Sequence, residues 1–156
     1  MSEDYAELLE GATLVRRAPG HRHEAICRKL HAAVAASTAN LTSTRLLPPR
    51  TEVRLSARHA FRPDMALVAT GTGKLWLAAE IISSDDHRTD TVLKKQVYEE
   101  LRIPRLWMID PRYDNVEVYH ATPYGLVLKE ILAGKETLVE KLLPEFQILV
   151  AELFAD

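Results

Sequence analysis

The stretch that most restricts the fold is residues 75–82, Leu-Trp-Leu-Ala-Ala-Glu-Ile-Ile, closed off by Gly71-Thr72-Gly73-Lys74 before it and Ser83-Ser84-Asp85-Asp86 after it. It is too short for an independent helix and is framed by turn chemistry, so it predicts a central strand covered on both faces. Glu80 is its anomaly. A carboxylate in a buried strand is costly unless a cation meets it.

The flanking sequence supplies the neighbours of that strand. Met65 to Ala69 reads as a strand that follows Pro63-Asp64, and residues 106–109, 116–120 and 126–132 read as further strands, the first two joined by the turn-rich run Asp110-Pro111-Arg112-Tyr113-Asp114-Asn115. Apolar spacing predicts helices over 21–37 and over 88–102, the second ended by Pro104. Toward the N-terminus, Ser2 as cap, Glu3 and Asp4 in a first turn and Gly11 as stop predict a short helix bearing Glu7. Residues 13–17 form a brief strand, 39–50 a loop, 52–60 one alternating strand, and 142–154 a tail finishing in a short helix. The expected class is α/β, a mixed β-sheet flanked by α-helices. No repeat or linker divides the chain, so one domain over 1–156 is expected.

Composition narrows the function classes. With 156 residues, 47% of them hydrophobic and 27% charged, the chain can bury a core without disulfides. Its single Cys27 sits in a helical pattern as a small buried thiol. The acidic start Met1-Ser2-Glu3-Asp4, followed by no uninterrupted apolar run, does not read as a signal peptide, and no run approaches the ~20 apolar residues of a membrane span, so a cytoplasmic protein is expected. A net charge of -2 argues against a nucleic-acid-coating protein, yet residues 12–62 hold ten Lys or Arg against only Glu24 and Glu52. That asymmetry predicts one basic face, with Arg54, Arg58 and Arg62 as candidate phosphate contacts.

Asp64 and Glu80 flank one turn between neighbouring strands, so both carboxylates can reach one point and offer the hard oxygens that Mg²⁺ or Mn²⁺ prefers. Phosphodiester hydrolysis at such a site also needs a nearby cation. Steps of 100° per residue place Lys94 on the inner flank of a stripe formed by Leu93, Val97 and Leu101, in line with Tyr98, and place Lys95 outside beside Glu99. Glu7 and His23 are candidate supporting groups. Asp85-Asp86-His87 reads as a helix cap rather than a metal cluster.

Pro63-Asp64, Glu80-Ile81-Ile82-Ser83, Asp90, Lys94, Tyr98, Pro104, Trp107 and Asp110-Pro111 together resemble the Uma-two-like putative restriction endonucleases of the PD-(D/E)XK nuclease superfamily. Glu7-Leu8-Leu9-Glu10-Gly11 is similar to the opening motif of that family, and His23 to the histidine that starts its second helix. Where the family commonly carries a glycine, this chain has Arg102. The resemblance implies a restriction-endonuclease-like fold and an endonuclease hydrolysing DNA. It implies Asp64 and Glu80 as metal ligands together with the backbone carbonyl of Ile81, and Lys94 as the superfamily lysine moved from position 82 onto the following helix. A homodimer would deliver two cuts. The same basic segment also suits a non-catalytic nucleic-acid-binding or oligomeric module on that fold.

Overall fold

The computed structural model describes residues 3–83 and 85–156. A six-stranded sheet runs in the order β10-β9-β8-β7-β6-β3. Its members are β3 (Thr44–Leu46), β6 (Met65–Ala69), β7 (Leu75–Ile81), β8 (Arg105–Asp110), β9 (Asn115–Thr122) and β10 (Gly125–Ala133). Only β7 and β8 pair in parallel; the other neighbours are antiparallel. A parallel pair needs a crossover, and the helical segment after β7 provides it.

β7 is the central strand its apolar run predicts. Leu77, Ala79 and Ile81 enter one core cluster with α1 (His21–Thr38), β12 (Leu143–Leu149) and α3 (Val150–Phe154). Ala78 and Ile82 enter the other, with Phe61, Val97, Tyr98 and Met108. Period-two alternation places Glu80 on the second face, the one that carries the crossover helix.

Four expectations are corrected. The N-terminal segment is a hairpin, not a helix: β1 (Tyr5–Leu9) pairs with β2 (Ala12–Arg16), with Leu9 opposite Ala12. Glu10 and Gly11 both have positive φ, 53° and 79°, which is the backbone of a tight two-residue hairpin turn, so Gly11 turns a strand rather than ending a helix. The proposed Ser2 cap lies outside the described residues. The single strand over 52–60 is split into β4 (Val53–Ser56) and β5 (His59–Phe61), and with β1 and β2 these make a four-stranded sheet in the order β2-β1-β5-β4. Continuous alternation hid the two-residue turn at Ala57-Arg58. The loop over 39–50 contains β3, an edge strand on β6, and the tail over 142–154 begins with β12, which pairs with β11 (Thr137–Glu140) just ahead of it as a separate ladder before α3.

The crossover helix is not uniform. Residues Thr89–Lys94 form a π-helical turn that runs straight into α2 (Lys95–Glu100). Such wide turns are rare and recur at functional sites. No helix among the described residues is long and apolar enough to cross a membrane.

Candidate active site

A cleft of about 870 Å³ opens between the N-terminal hairpin, the start of α1, the C-terminal end of β7 and the β8–β9 turn. Asp64, Glu80 and Ile81 line it. Met65 pairs with Ala79, so the antiparallel register carries Asp64 to the position beside Glu80. The Ile81 backbone N–H donates to Asp64 Oδ2 at 2.8 Å.

Around Asp64 the donors are nitrogens. His23 Nε2 lies 2.8 Å and Arg50 NH1 3.0 Å from the other carboxylate oxygen, Asp64 Oδ1. The Arg50 fork also reaches Glu24 at 2.6 Å. Burial opposes ionisation of Asp64, but His23, the Ile81 N–H and Arg50 together hold its carboxyl below the ordinary range. Burial likewise opposes charge on His23, and Asp64 overcomes it, raising the imidazole's affinity for its proton. Beneath the acid, burial beside Asp64 pushes the Cys27 thiol up to about 12, which keeps it protonated and inert.

Glu80 has different company. Lys94 Nζ stands 2.7 Å from Glu80 Oε2 and 2.8 Å from Glu7 Oε2, and the Tyr98 hydroxyl donates to Glu80 Oε2 at 2.5 Å. Arg16 bridges Glu7 at 2.6 Å and Asp90 at 2.8 Å. Lys94 is 1% exposed and Glu80 2%. Burial pushes the Glu80 carboxyl up to about 7; Lys94 offsets that in part, and the neighbouring charges of Glu7, Asp90 and Asp64 add to it. Lys94 keeps its proton against burial because Glu7, Glu80 and Asp90 surround it. The group that yields to the low dielectric is therefore Glu80.

This arrangement corrects the helical-stripe geometry. Leu101 is exposed and Leu93 half-buried, while Asp90, Lys94, Val97 and Tyr98 form the buried face, so Lys94 lies at its centre rather than on its flank. The buried stripe is polar because acids from β1 and β7 face it, and the π-helical turn shifts the phase that a regular helix would keep. Lys95 is half-buried with its ammonium 4.5 Å from the Tyr119 ring centroid. Its expected neighbour Glu99 instead accepts the Leu126 backbone N–H at 2.8 Å.

The basic residues chosen from sequence do not line the cleft. Arg58 donates to the Glu10 carbonyl at 2.6 Å, Arg62 to the Arg50 carbonyl at 3.1 Å, and Arg54 is exposed on β4. The cations lining the cleft are Arg16, Arg17, Arg22 and Arg112. Asp86 stands just before the helical residues and accepts from the Thr89 hydroxyl at 2.8 Å, a bond to a side chain rather than the backbone N–H cap expected of it. Arg16, Arg50 and Asp90 were missed as parts of the site. A legible trace of Asp90 was its spacing, since Asp90, Lys94 and Tyr98 recur every four residues as one ridge; nothing local distinguished Arg16 from the exposed Arg17 beside it.

The donor set suits a hard divalent cation. Four buried carboxylates, Glu7, Asp64, Glu80 and Asp90, face three permanent cations, Arg16, Arg50 and Lys94, and Arg50 is shared with Glu24. Burial drives Glu80 and Asp90 toward their protonated forms further than Lys94 and, for Asp90, Arg16 draw them back, and at Glu80 the neighbouring carboxylates add to the burial. Among the described residues no group of three or more His, Cys, Asp or Glu side chains is arranged to hold a metal. Two carboxylates and a carbonyl suffice for Mg²⁺, which retains much of its water.

A search of curated proteins finds no match. Among solved structures, the chain is similar to the crystal structure of a putative nuclease belonging to DUF820 from Anabaena variabilis ATCC 29413, with a TM-score of 0.79 and 18% identity over 96% of this chain and 89% of that one. At that identity the likeness shows the fold alone, a mixed α/β fold. A family model, Uma2, described as putative restriction endonuclease, matches residues 2–151. The chain therefore belongs to the Uma2 family.

Proposed function

We propose that the protein is a metal-dependent nuclease that hydrolyses DNA phosphodiester bonds, with Asp64, Glu80 and the Ile81 carbonyl as ligands for Mg²⁺ or Mn²⁺. The observation that carries this reading is the meeting of two buried carboxylates from adjacent strands in one cleft, with Lys94 Nζ 2.7 Å from Glu80. A bound divalent ion would neutralise the scissile phosphate and lower the pKa of a coordinated water. Lys94 holds positive charge at the floor, and Glu7 and Tyr98 fix the position of the ammonium and of Glu80. His23 and Arg50 keep Asp64 ionised and oriented. A homodimer is part of the reading, because two copies would present one site to each strand of a duplex.

The test is cleavage of supercoiled, linear and single-stranded DNA with Mg²⁺ or Mn²⁺, comparing wild type with Glu80→Gln and with a Lys94→Met protein whose melting shows that it is folded. Both variants are expected to lose cleavage. Wild type that binds no divalent metal and cuts none of these forms overturns the proposal. One observation favours the alternative of a non-catalytic nucleic-acid-binding module: both oxygens of Asp64 already accept from nitrogen donors. Salt-sensitive DNA binding that is indifferent to EDTA, without cleavage, would establish that alternative.

A further inference from the structure

Two tyrosines stand in solvent at opposite ends of β9. Tyr113, 69% exposed, is on the turn between β8 and β9, and Tyr124, 96% exposed, is on the turn between β9 and β10. β9 is eight residues long, so the two turns are separated by the length of the sheet, roughly 25 Å at strand rise. Only the first reaches the cleft: Pro111 and Arg112 line it, whereas no residue of the Tyr124 turn does.

The Tyr113 turn is also the one that is built. Arg112 is held to Asp110 by its backbone N–H at 2.9 Å, by Nε at 3.0 Å and by NH2 at 2.9 Å. From the other wall, Arg22 donates to the Pro111 carbonyl at 2.7 Å and to Asp114 at 2.6 Å, which ties the turn to the first turn of α1. The Arg112 guanidinium carbon lies 5.2 Å from the Tyr113 ring centroid. A braced turn thus presents an aromatic ring next to arginines, at the mouth of a cleft whose floor carries the acids. Aromatic rings stack on nucleobases through the π-face that every base has, and an arginine adds both cation–π attraction and charge for the backbone. Every unpaired base can offer its face in this way, whereas a blunt duplex has its base faces covered by stacked neighbours along its whole length and leaves only one open at each end.

Resting on the nuclease reading above, we propose that Tyr113, positioned by Arg112, stacks on an unpaired nucleobase of the DNA entering the cleft, so that the protein prefers single-stranded or frayed DNA over blunt duplex. The base lies outside the cleft while the adjoining backbone enters it past the braced turn, toward Asp64 and Glu80. Tyr113 is a positioning residue and touches no reacting atom.

The experiment measures binding of a labelled single-stranded oligonucleotide and of the matching blunt duplex, in EDTA so that nothing is cut, for wild type, Tyr113→Ala, Tyr113→Phe and Tyr124→Ala. Wild type should bind the single strand more tightly. Tyr113→Ala should weaken single-strand binding about 5- to 150-fold, the range typical of losing one base–aromatic stack, with a much smaller change for duplex. Tyr113→Phe and Tyr124→Ala should match wild type. Unchanged binding by Tyr113→Ala, an equal loss in Tyr124→Ala, an equal loss in Tyr113→Phe, or no single-strand binding by wild type overturns the stacking proposal. Parallel cleavage assays with Mg²⁺ keep the two readings apart. Wild type that cuts DNA while Tyr113→Ala binds normally refutes stacking alone, and wild type that cuts nothing while the Tyr113 contrast persists refutes the nuclease reading alone.

Discussion

Asp64 and Glu80 share a cleft and a strand pair, yet their surroundings push them in opposite directions. Asp64 meets His23, Arg50 and a backbone N–H and is held ionised. Glu80 meets Lys94 and Tyr98 but also the fields of Glu7, Asp90 and Asp64, and it rises to about 7. The difference comes from the balance of charge around each acid, since both are almost wholly buried. Asp64 is a finished electrostatic unit, whereas Glu80 belongs to a cluster still short of a cation.

The largest test of that contrast is Lys94→Ala. It leaves Glu7 and Glu80 buried without their shared ammonium and is expected to cost about 3–5 kcal/mol in denaturant unfolding. If the loss is under 1 kcal/mol by the same roughly measured scale, the cluster is not held by that lysine.

The pH dependence of metal-free protein comes next. A glutamate with an ordinary value near 4.5 that rises to about 7 on folding stabilises the folded state below its unfolded value. That contribution is lost as pH rises from about 4.5 through 7, and at most about 3 kcal/mol is involved. Glu80→Gln should flatten this slope and raise stability at alkaline pH while abolishing metal binding. Asp64 has the opposite sign, because its depressed value adds stability above the unfolded range near 4 that is lost on acidification. Chemical unfolding of wild type and of both the Glu80→Gln and Asp64→Asn proteins across this pH range would show the two slopes; parallel slopes would dissolve the contrast.

A smaller effect is expected for His23→Ala, about 1–3 kcal/mol, because Arg50 and the Ile81 N–H still serve Asp64. Smallest is Arg102→Gly. Arg102 has φ of 56° just beyond the end of α2, a conformation that favours glycine, so this change should raise stability by about 0.5–1 kcal/mol and leave both acids and any cleavage untouched. A loss of stability there would mean that the arginine side chain makes a compensating contact.

Legibility followed the range of the interactions. The β6–β7 pair, α1 and the β8–β9 hairpin could be read because apolar period and turn residues act locally. The N-terminal hairpin could not, because the same Gly11 serves a helix end or a two-residue turn until Arg16 finds Asp90 and Glu7 finds Lys94. The polar buried face of the crossover helix was misread for a related reason. Hydrophobic spacing assumes an apolar partner, and here the partner surface is made of acids.

By itself the sequence determined a central strand with an acid in it, a second acid one turn away, and a lysine on the next helix, since each depends on short-range pattern. Only the tertiary structure decided that Arg16, Arg50 and Asp90 join them, that Arg54, Arg58 and Arg62 stay outside the cleft, and that Glu80 rather than Asp64 is left short of positive charge. Those outcomes depend on which residues distant in the chain come within a few ångströms in a low dielectric, where charge balance is settled collectively and no local pattern records the sum.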